Sequence, residues 1–167
     1  MASTFTKAVA LLGFLSGSTL AYAQSETKTT TMAVSATVSS NCLITNSPAL
    51  TFNAYTPDLG AQDATATVDV KCSNTTPFNI GLNAGIGTGA TITDRVMKSG
   101  SNTLTYQLFR NPGRTDNWGN TPGTDTLSGV GTGLNNTLSN TIYGRIPSQP
   151  DVVPGAYTDT VTLTVSY

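Results

Sequence analysis

From Met32 to Tyr167, apolar side chains keep returning at every second position, and no window of that stretch keeps a 3.6-residue apolar period. A two-residue period places apolar groups on one face of a pleated strand, whereas a helix would need spacings of three and four. Met32, Val34, Ala36 and Val38 share a face opposite Ala33, Ser35 and Thr37. Ala66, Val68, Val70 and Cys72 alternate with Thr65, Thr67, Asp69 and Lys71. Phe78, Ile80, Leu82, Ala84 and Ile86 form a third run, and Leu104, Tyr106 and Leu108 a fourth. The last is the clearest: Tyr157, Val161, Leu163, Val165 and Tyr167 stand against Thr158, Thr160, Thr162, Thr164 and Ser166.

Clusters of Gly, Pro and Asn separate the runs: Asn46-Ser47-Pro48, Gly85 to Gly89, Asn111-Pro112-Gly113, Gly119 to Gly123, Gly129 to Gly133 and Val153-Pro154-Gly155. Each supplies a positive φ or a fixed turn. Short alternating strands joined by such turns predict an all-β, antiparallel Greek-key sandwich with one face of each sheet wet. No second folded domain and no internal repeat is visible.

The first 23 residues have the layout of a secretory signal. Lys7 gives a positive start, Ala8 to Leu15 an apolar centre, and Ala21-Tyr22-Ala23 a cleavage site before Gln24. The apolar run is too short to span a bilayer, so the expectation is export without membrane insertion of the mature chain. Residues 24–167 carry seven basic and nine acidic groups, a net charge of −2, and no basic cluster. A nucleic-acid surface needs concentrated Lys and Arg, so that class of partner is excluded. Thr, Ser, Asn and Gly fill the surface instead, and such uncharged faces also suit packing of subunit against subunit.

Cys42 and Cys72 are an even count in a chain read as exported, which predicts a disulfide. Two thiols in a chain without histidine are a poor metal set, so no metal or cofactor is expected. The lack of histidine also removes Ser-His-Asp and Cys-His nucleophiles. Scattered aspartates at turns and strand faces do not announce the converging pair a glycosidase needs. No catalytic residue is therefore expected. Gly85-Ile86-Gly87-Thr88-Gly89-Ala90 imitates a dinucleotide loop, but the β-branched Thr91-Ile92-Thr93 follows where a helix start is required; it reads as a hairpin loop. Two Asn-x-Thr sequons, at Asn74 and Asn135, are common by chance in such a chain. Trp118 and Tyr143 could stack on a sugar, but single aromatics beside turns more often close the end of a core.

Residues 24–31 are polar and β-prone and lead into the Met32–Val38 alternation. One reading is a frayed terminus joined to an ordinary first strand; the other is a strand that leaves its own domain to pair elsewhere. Alternation alone does not say where a free strand docks.

Three segments carry a family resemblance: Tyr106-Gln107-Leu108-Phe109-Arg110 with Arg114-Thr115 and Trp118-Gly119; Tyr143-Gly144-Arg145-Ile146-Pro147; and Gly155 through Tyr167. With Cys42 preceded by a Thr-rich alternating terminus, their order and spacing resemble the spore coat protein U domain family, which includes subunits of archaic, Csu-type chaperone–usher pili. The resemblance implies an incomplete immunoglobulin-like sandwich lacking its final strand. A periplasmic chaperone would lend that strand, and at the outer-membrane usher the N-terminal extension of another subunit would replace the loan. Carried onto this sequence, it makes residues 24–37 the donor extension and 38–167 the domain. Met32, Val34 and Ala36 enter a neighbour's groove, and the first strand begins near Val38. Tyr157, Val161, Leu163, Val165 and Tyr167 line the acceptor groove and form the strand that pairs with the chaperone.

The implied function is a structural pilus subunit, exported through the periplasm to a cell-surface fimbrium that supports adhesion and biofilm formation. Its partners are identical or related pilins in a linear polymer. A non-pilus secreted coat or matrix protein is the alternative. A tip adhesin would need a further receptor-binding domain, and an exported enzyme has no motif in its favour.

Overall fold

The computed structural model describes residues 25–46, 49–149 and 151–167. The expected signal segment, residues 1–23, and Ser47-Pro48 of the first turn cluster lie outside the described residues. The chain divides into two units, residues 1–37 and 38–167. In the first unit, residues 25–37 hold no assigned helix or strand and every side chain is exposed.

Among the described residues of the second unit there are eight strands and one 3-10 turn at Pro57–Leu59. The strands are β1 Cys42–Asn46, β2 Gln62–Cys72, β3 Pro77–Leu82, β4 Arg95–Ser99, β5 Asn102–Phe109, β6 Leu127–Val130, β7 Leu138–Ile146 and β8 Leu163–Ser166. They form a five-stranded sheet in the order β1-β2-β7-β5-β4 and a three-stranded sheet in the order β6-β3-β8, all antiparallel. Five connections pass from one sheet to the other, so the topology is the crossing kind expected of a sandwich rather than a meander. Among the described residues no helix is long and apolar enough to cross a membrane.

The period-two faces become the core. Val68 and Val70 of β2, Ile80 of β3, and Leu104 and Leu108 of β5 are buried in one cluster drawn from both sheets. Threonines at the alternate positions face out, where β-branching suits the pleated backbone and the hydroxyl stays wet. Cys42 and Cys72 are directly opposed in the β1–β2 register and are bonded to each other, closing a separation of 30 residues.

Trp118 settles its own question. It is fully buried, and its Nε1–H donates to the Ile80 carbonyl at 2.8 Å while its backbone N–H donates to Leu108 at 2.8 Å. It joins the two sheets and offers no face to a sugar. Tyr143 is half-buried with the Arg114 guanidinium 5.8 Å from its ring centroid.

Four boundaries differ from the sequence reading. The Phe78–Ile86 run stops being a strand at Leu82, because the Asn83 side chain accepts from the Gly85 N–H at 3.0 Å and Gly85 turns the chain at φ 86°. The glycine loop after it is not a hairpin loop: β3 and β4 belong to different sheets, so the loop is a crossover. The first strand begins at Cys42, not near Val38: Asn41 still meets Ser73, through its carbonyl and the Ser73 hydroxyl, but residues 38–40 are exposed and in no ladder. The final run is regular strand only over Leu163–Ser166, because Thr158 is engaged with β4 of the other sheet and the chain has to cross before it pairs with β3.

Candidate functional site

The sandwich is not closed on all sides. Residues 49–55 and residues 157–163 flank an open groove of about 780 Å³. Leu50, Phe52 and Tyr55 form one wall; Tyr157, Val161 and Leu163 form the other. Leu82, Leu104, Leu108 and Ile146 make the floor and are buried, so the apolar surface left open belongs to the half-buried wall residues.

Local chemistry sets the first wall. Leu50 and Phe52 lie over β7 at Gly144, where an added Cβ would come within 2.9 Å of the Leu50 Cδ2 and Phe52 Cζ atoms. The missing side chain is therefore what lets this wall approach. Phe52 meets Tyr106 edge to face with centroids 6.4 Å apart. The Tyr55 hydroxyl accepts from the Gln149 backbone N–H at 2.6 Å. The Gln149 side-chain amide in turn pairs with both backbone groups of Thr105, at 2.9 and 3.0 Å. A side chain thus stands in for a strand partner where β5 and β7 part beyond Gln107 and Arg145.

The second wall changes sheets. Thr158 exchanges two backbone hydrogen bonds with Lys98 of β4, at 2.9 and 3.0 Å. By Thr162 the chain instead accepts from the Asn83 N–H at 3.0 Å and then pairs with β3. Asp159 sits at the crossing. Its Oδ1 accepts from the Ile86 and Thr160 amides at 2.9 and 2.8 Å, and its Oδ2 accepts from the Tyr106 hydroxyl at 2.7 Å. Burial pushes the Tyr106 phenol well above its ordinary range, and the hydrogen bond to Asp159 pushes it further, so it stays a neutral donor. Beside it Arg95 is fully buried and donates to the carbonyls of Leu82, Asn83, Ile92 and Trp118. Desolvation lowers its pKa, opposed by the carboxylate charges of Asp159 and Asp125. With both carboxylate oxygens of Asp159 occupied, the groove presents it as a structural acceptor and not as a base.

β8, which carries Leu163 of the lining, is a sheet edge, and so is β1. Among the described residues β1 pairs only with β2 and β8 only with β3, which leaves each with one row of backbone groups free of strand partners. Ile44 shares the inward face with its register partner Val70, yet remains 43% exposed. The core is uncovered at that edge too.

The residues expected to line the groove fall into three places. Tyr157, Val161 and Leu163 are in its lining; Val165 is half-buried against the core beyond it; Tyr167 is 57% exposed, with its hydroxyl 3.4 Å from Asn41 Oδ1. Met32 and Val34, at 83% and 82% exposure, and Ala36 lie in the other unit. Leu50, Phe52, Tyr55 and Asp159 were not singled out from the sequence as groove residues. Leu50 and Phe52 do alternate, but a two-member run ending in Asn53-Ala54 is too short to count as a period.

Comparison with known proteins bears on this geometry. A chain of the CsuC–CsuE chaperone–tip adhesion subunit pre-assembly complex, from archaic chaperone–usher Csu pili of Acinetobacter baumannii, superposes with a TM-score of 0.54 at 25% identity. The match covers 78% of this chain and 40% of that one. Protein U of Myxococcus xanthus is 32% identical over 109 residues, 62% of this chain and 59% of Protein U. The matched regions thus span less than two thirds of either relative. The spore coat protein U domain itself matches residues 28–164, nearly the whole of the described chain, and the protein belongs to that family.

Proposed function

We propose that this chain is a structural subunit of an extracellular pilus, assembled by the chaperone–usher route through exchange of donor strands. The observation that carries the reading is the pairing of an apolar, open groove with an exposed alternating segment that has no partner of its own. An isolated domain with such a groove leaves its apolar walls only half-buried, a hazard for aggregation that a borrowed strand removes. Likeness to a subunit–chaperone complex of Csu pili supports the same reading.

In this scheme residues 24–37 of one copy enter the groove of the next, with Met32, Val34 and Ala36 pointing to the floor. Burying each larger side chain contributes about 1.5–3 kcal/mol, and backbone hydrogen bonds to the β8 edge add direction. Tyr157, Val161, Leu163, Val165 and Tyr167 mark the strand beside which the donor lies. A periplasmic chaperone occupies the groove before assembly and an outer-membrane usher catalyses the exchange. Each subunit gives one strand and receives another, so contacts are heterologous and grow into a filament. Export through the periplasm, a place on the cell surface, and a part in adhesion and biofilm formation follow from this role. No step calls for enzymatic chemistry or a cofactor.

Removing residues 24–37 tests it. The shortened chain is expected to bind its chaperone, or a peptide copying the deleted segment, but to form no fibres by electron microscopy; normal fibres would overturn the reading. The similarity to Protein U favours a second reading, a secreted coat or matrix protein. Chaperone and usher genes beside this one support the first, and their absence the second.

A further inference from the structure

The groove has apolar walls that stand apart, although they would bury more surface by closing on each other. Something has to hold the second wall away from the first. Residues 158–163 do not run as one straight strand: Thr158 is bonded to β4 at the edge of the five-stranded sheet, and Leu163 is paired to β3 in the other sheet. A strand that stayed with either sheet would lie differently against Leu50 and Phe52. The crossing therefore decides where Val161 and Leu163 stand.

Among the described residues Asp159 is the only carboxylate in the groove lining, and three donors from three places converge on it: Tyr106 of β5, Ile86 of the β3–β4 crossover, and its own neighbour Thr160. Asn83 repeats the device one step on, with Oδ1 accepting from Gly85 and from Thr162 at 3.0 and 2.8 Å. Space has been cleared for the carboxylate, since a Cβ on Gly85 would collide with it. Arg95, buried beneath, anchors the same crossover through Asn83 and Ile92.

Resting on the donor-strand reading above, we propose that Asp159 is a positioning residue for strand acceptance. Its carboxylate pins the sheet-crossing turn of the last strand, so that the groove stays open to an incoming strand from a second copy. The residue acts through Val161 and Leu163 and does not itself bind the donor.

Two measurements on the full chain test this: uptake of a fluorescent peptide copying residues 25–38, and hydrogen exchange of the Ile86, Lys98 and Thr160 amides without peptide. Asp159→Ala is expected to slow uptake about tenfold, and Tyr106→Phe, which keeps the ring and loses one hydrogen bond, about threefold. Exchange at the three amides rises in both. Asp159→Asn keeps an oxygen for the Ile86 and Thr160 amides and restores most of the uptake. Asp63→Ala, on the outer face of β2, changes neither measurement. A lowered melting temperature with uptake and exchange as in the wild type overturns the proposal, because a merely stabilising residue would behave so. If Asp159→Ala does not fold, Tyr106→Phe decides on the same criteria. If the wild-type chain takes up no peptide, the donor-strand reading falls. Strand acceptance falls with it, and exchange then decides only whether Asp159 pins the crossing: raised exchange supports that, unchanged exchange overturns it.

Discussion

Two stretches of this chain carry the same pattern and meet opposite fates. Met32, Val34 and Ala36 alternate with small polar residues as regularly as Val161, Leu163 and Val165 do. The second set is half-buried against the core; the first is exposed, with no strand assigned. A period-two run declares a face that gains from burial and leaves its partner unspecified. In the C-terminal run the partner is within the domain. For the N-terminal run, on the reading proposed above, it is a groove of another copy.

The sharpest way to break the comparison is a charge in the exposed set. Val34→Asp is expected to abolish fibre formation, since a carboxylate carried into an apolar groove loses its water without gaining a partner. The chain alone should melt within about 0.5 kcal/mol of the wild type, because Val34 is already exposed there. Fibre yield by electron microscopy and a denaturation curve are read together. Fibres of normal yield would mean that the N-terminal run has no buried destination.

The disulfide separates the stability of the domain from its capacity to assemble. Cys42→Ser frees β1, an edge strand whose single ladder runs to β2, and is expected to cost about 3.6 kcal/mol for a loop of 30 residues. Urea denaturation of both forms, with and without reductant, checks this. Equal midpoints for the wild type in the two conditions would show that the bond contributes nothing.

Much of this architecture was legible from residue types. The strands β2, β5 and the end of β8 followed from alternation, and the Cys42–Cys72 bond from count and compartment. Three features escaped for physical reasons. The sheet crossing at Asp159 is invisible because Tyr157–Tyr167 keeps its alternation straight through it; only hydrogen-bond partners, not side-chain polarity, change there. The wall at Leu50 and Phe52 depends on Gly144, nearly a hundred residues away in the chain, being without a side chain. Arg95 reads as a surface charge by type, yet four backbone carbonyls from three segments, at Leu82-Asn83, Ile92 and Trp118, satisfy it in the core. Each depends on contacts distant in sequence, where a local pattern carries no information.

A smaller effect sharpens the comparison within the domain wall itself. Leu163→Ala is expected to destabilise the chain alone by about 1–2 kcal/mol, less than a fully buried leucine would, since one side of Leu163 faces the open groove. With a donor peptide bound, the same substitution should cost more, because the filled groove completes its burial. Melting curves with and without the peptide give the difference. An identical cost in both states would place the donor elsewhere.

The outer face of the five-stranded sheet sets the lower limit of these effects. There Asp63 receives Arg145 through Nε at 2.7 Å and Nη2 at 2.9 Å, with Arg114 at 3.2 Å. The hydrogen bonds from Arg145 hold the Asp63 carboxyl below its ordinary value, against a desolvation that raises it; the charges of Arg114 and Arg145 add to the lowering. A carboxyl whose folded pKa is depressed stabilises the fold above its unfolded pKa, and that contribution is lost as pH falls through the folded value. Asp63→Asn should therefore lower stability at neutral pH by under about 1 kcal/mol, as exposed ion pairs do, and the difference from the wild type should vanish in acid. Added salt should shrink it at neutral pH as well. Peptide uptake should not change at any pH, because this ion pair lies on the face turned away from the groove. A change in uptake that followed Asp63 would mean that the outer face is coupled to the open one, and would remove the distinction between the two faces on which the other predictions rest.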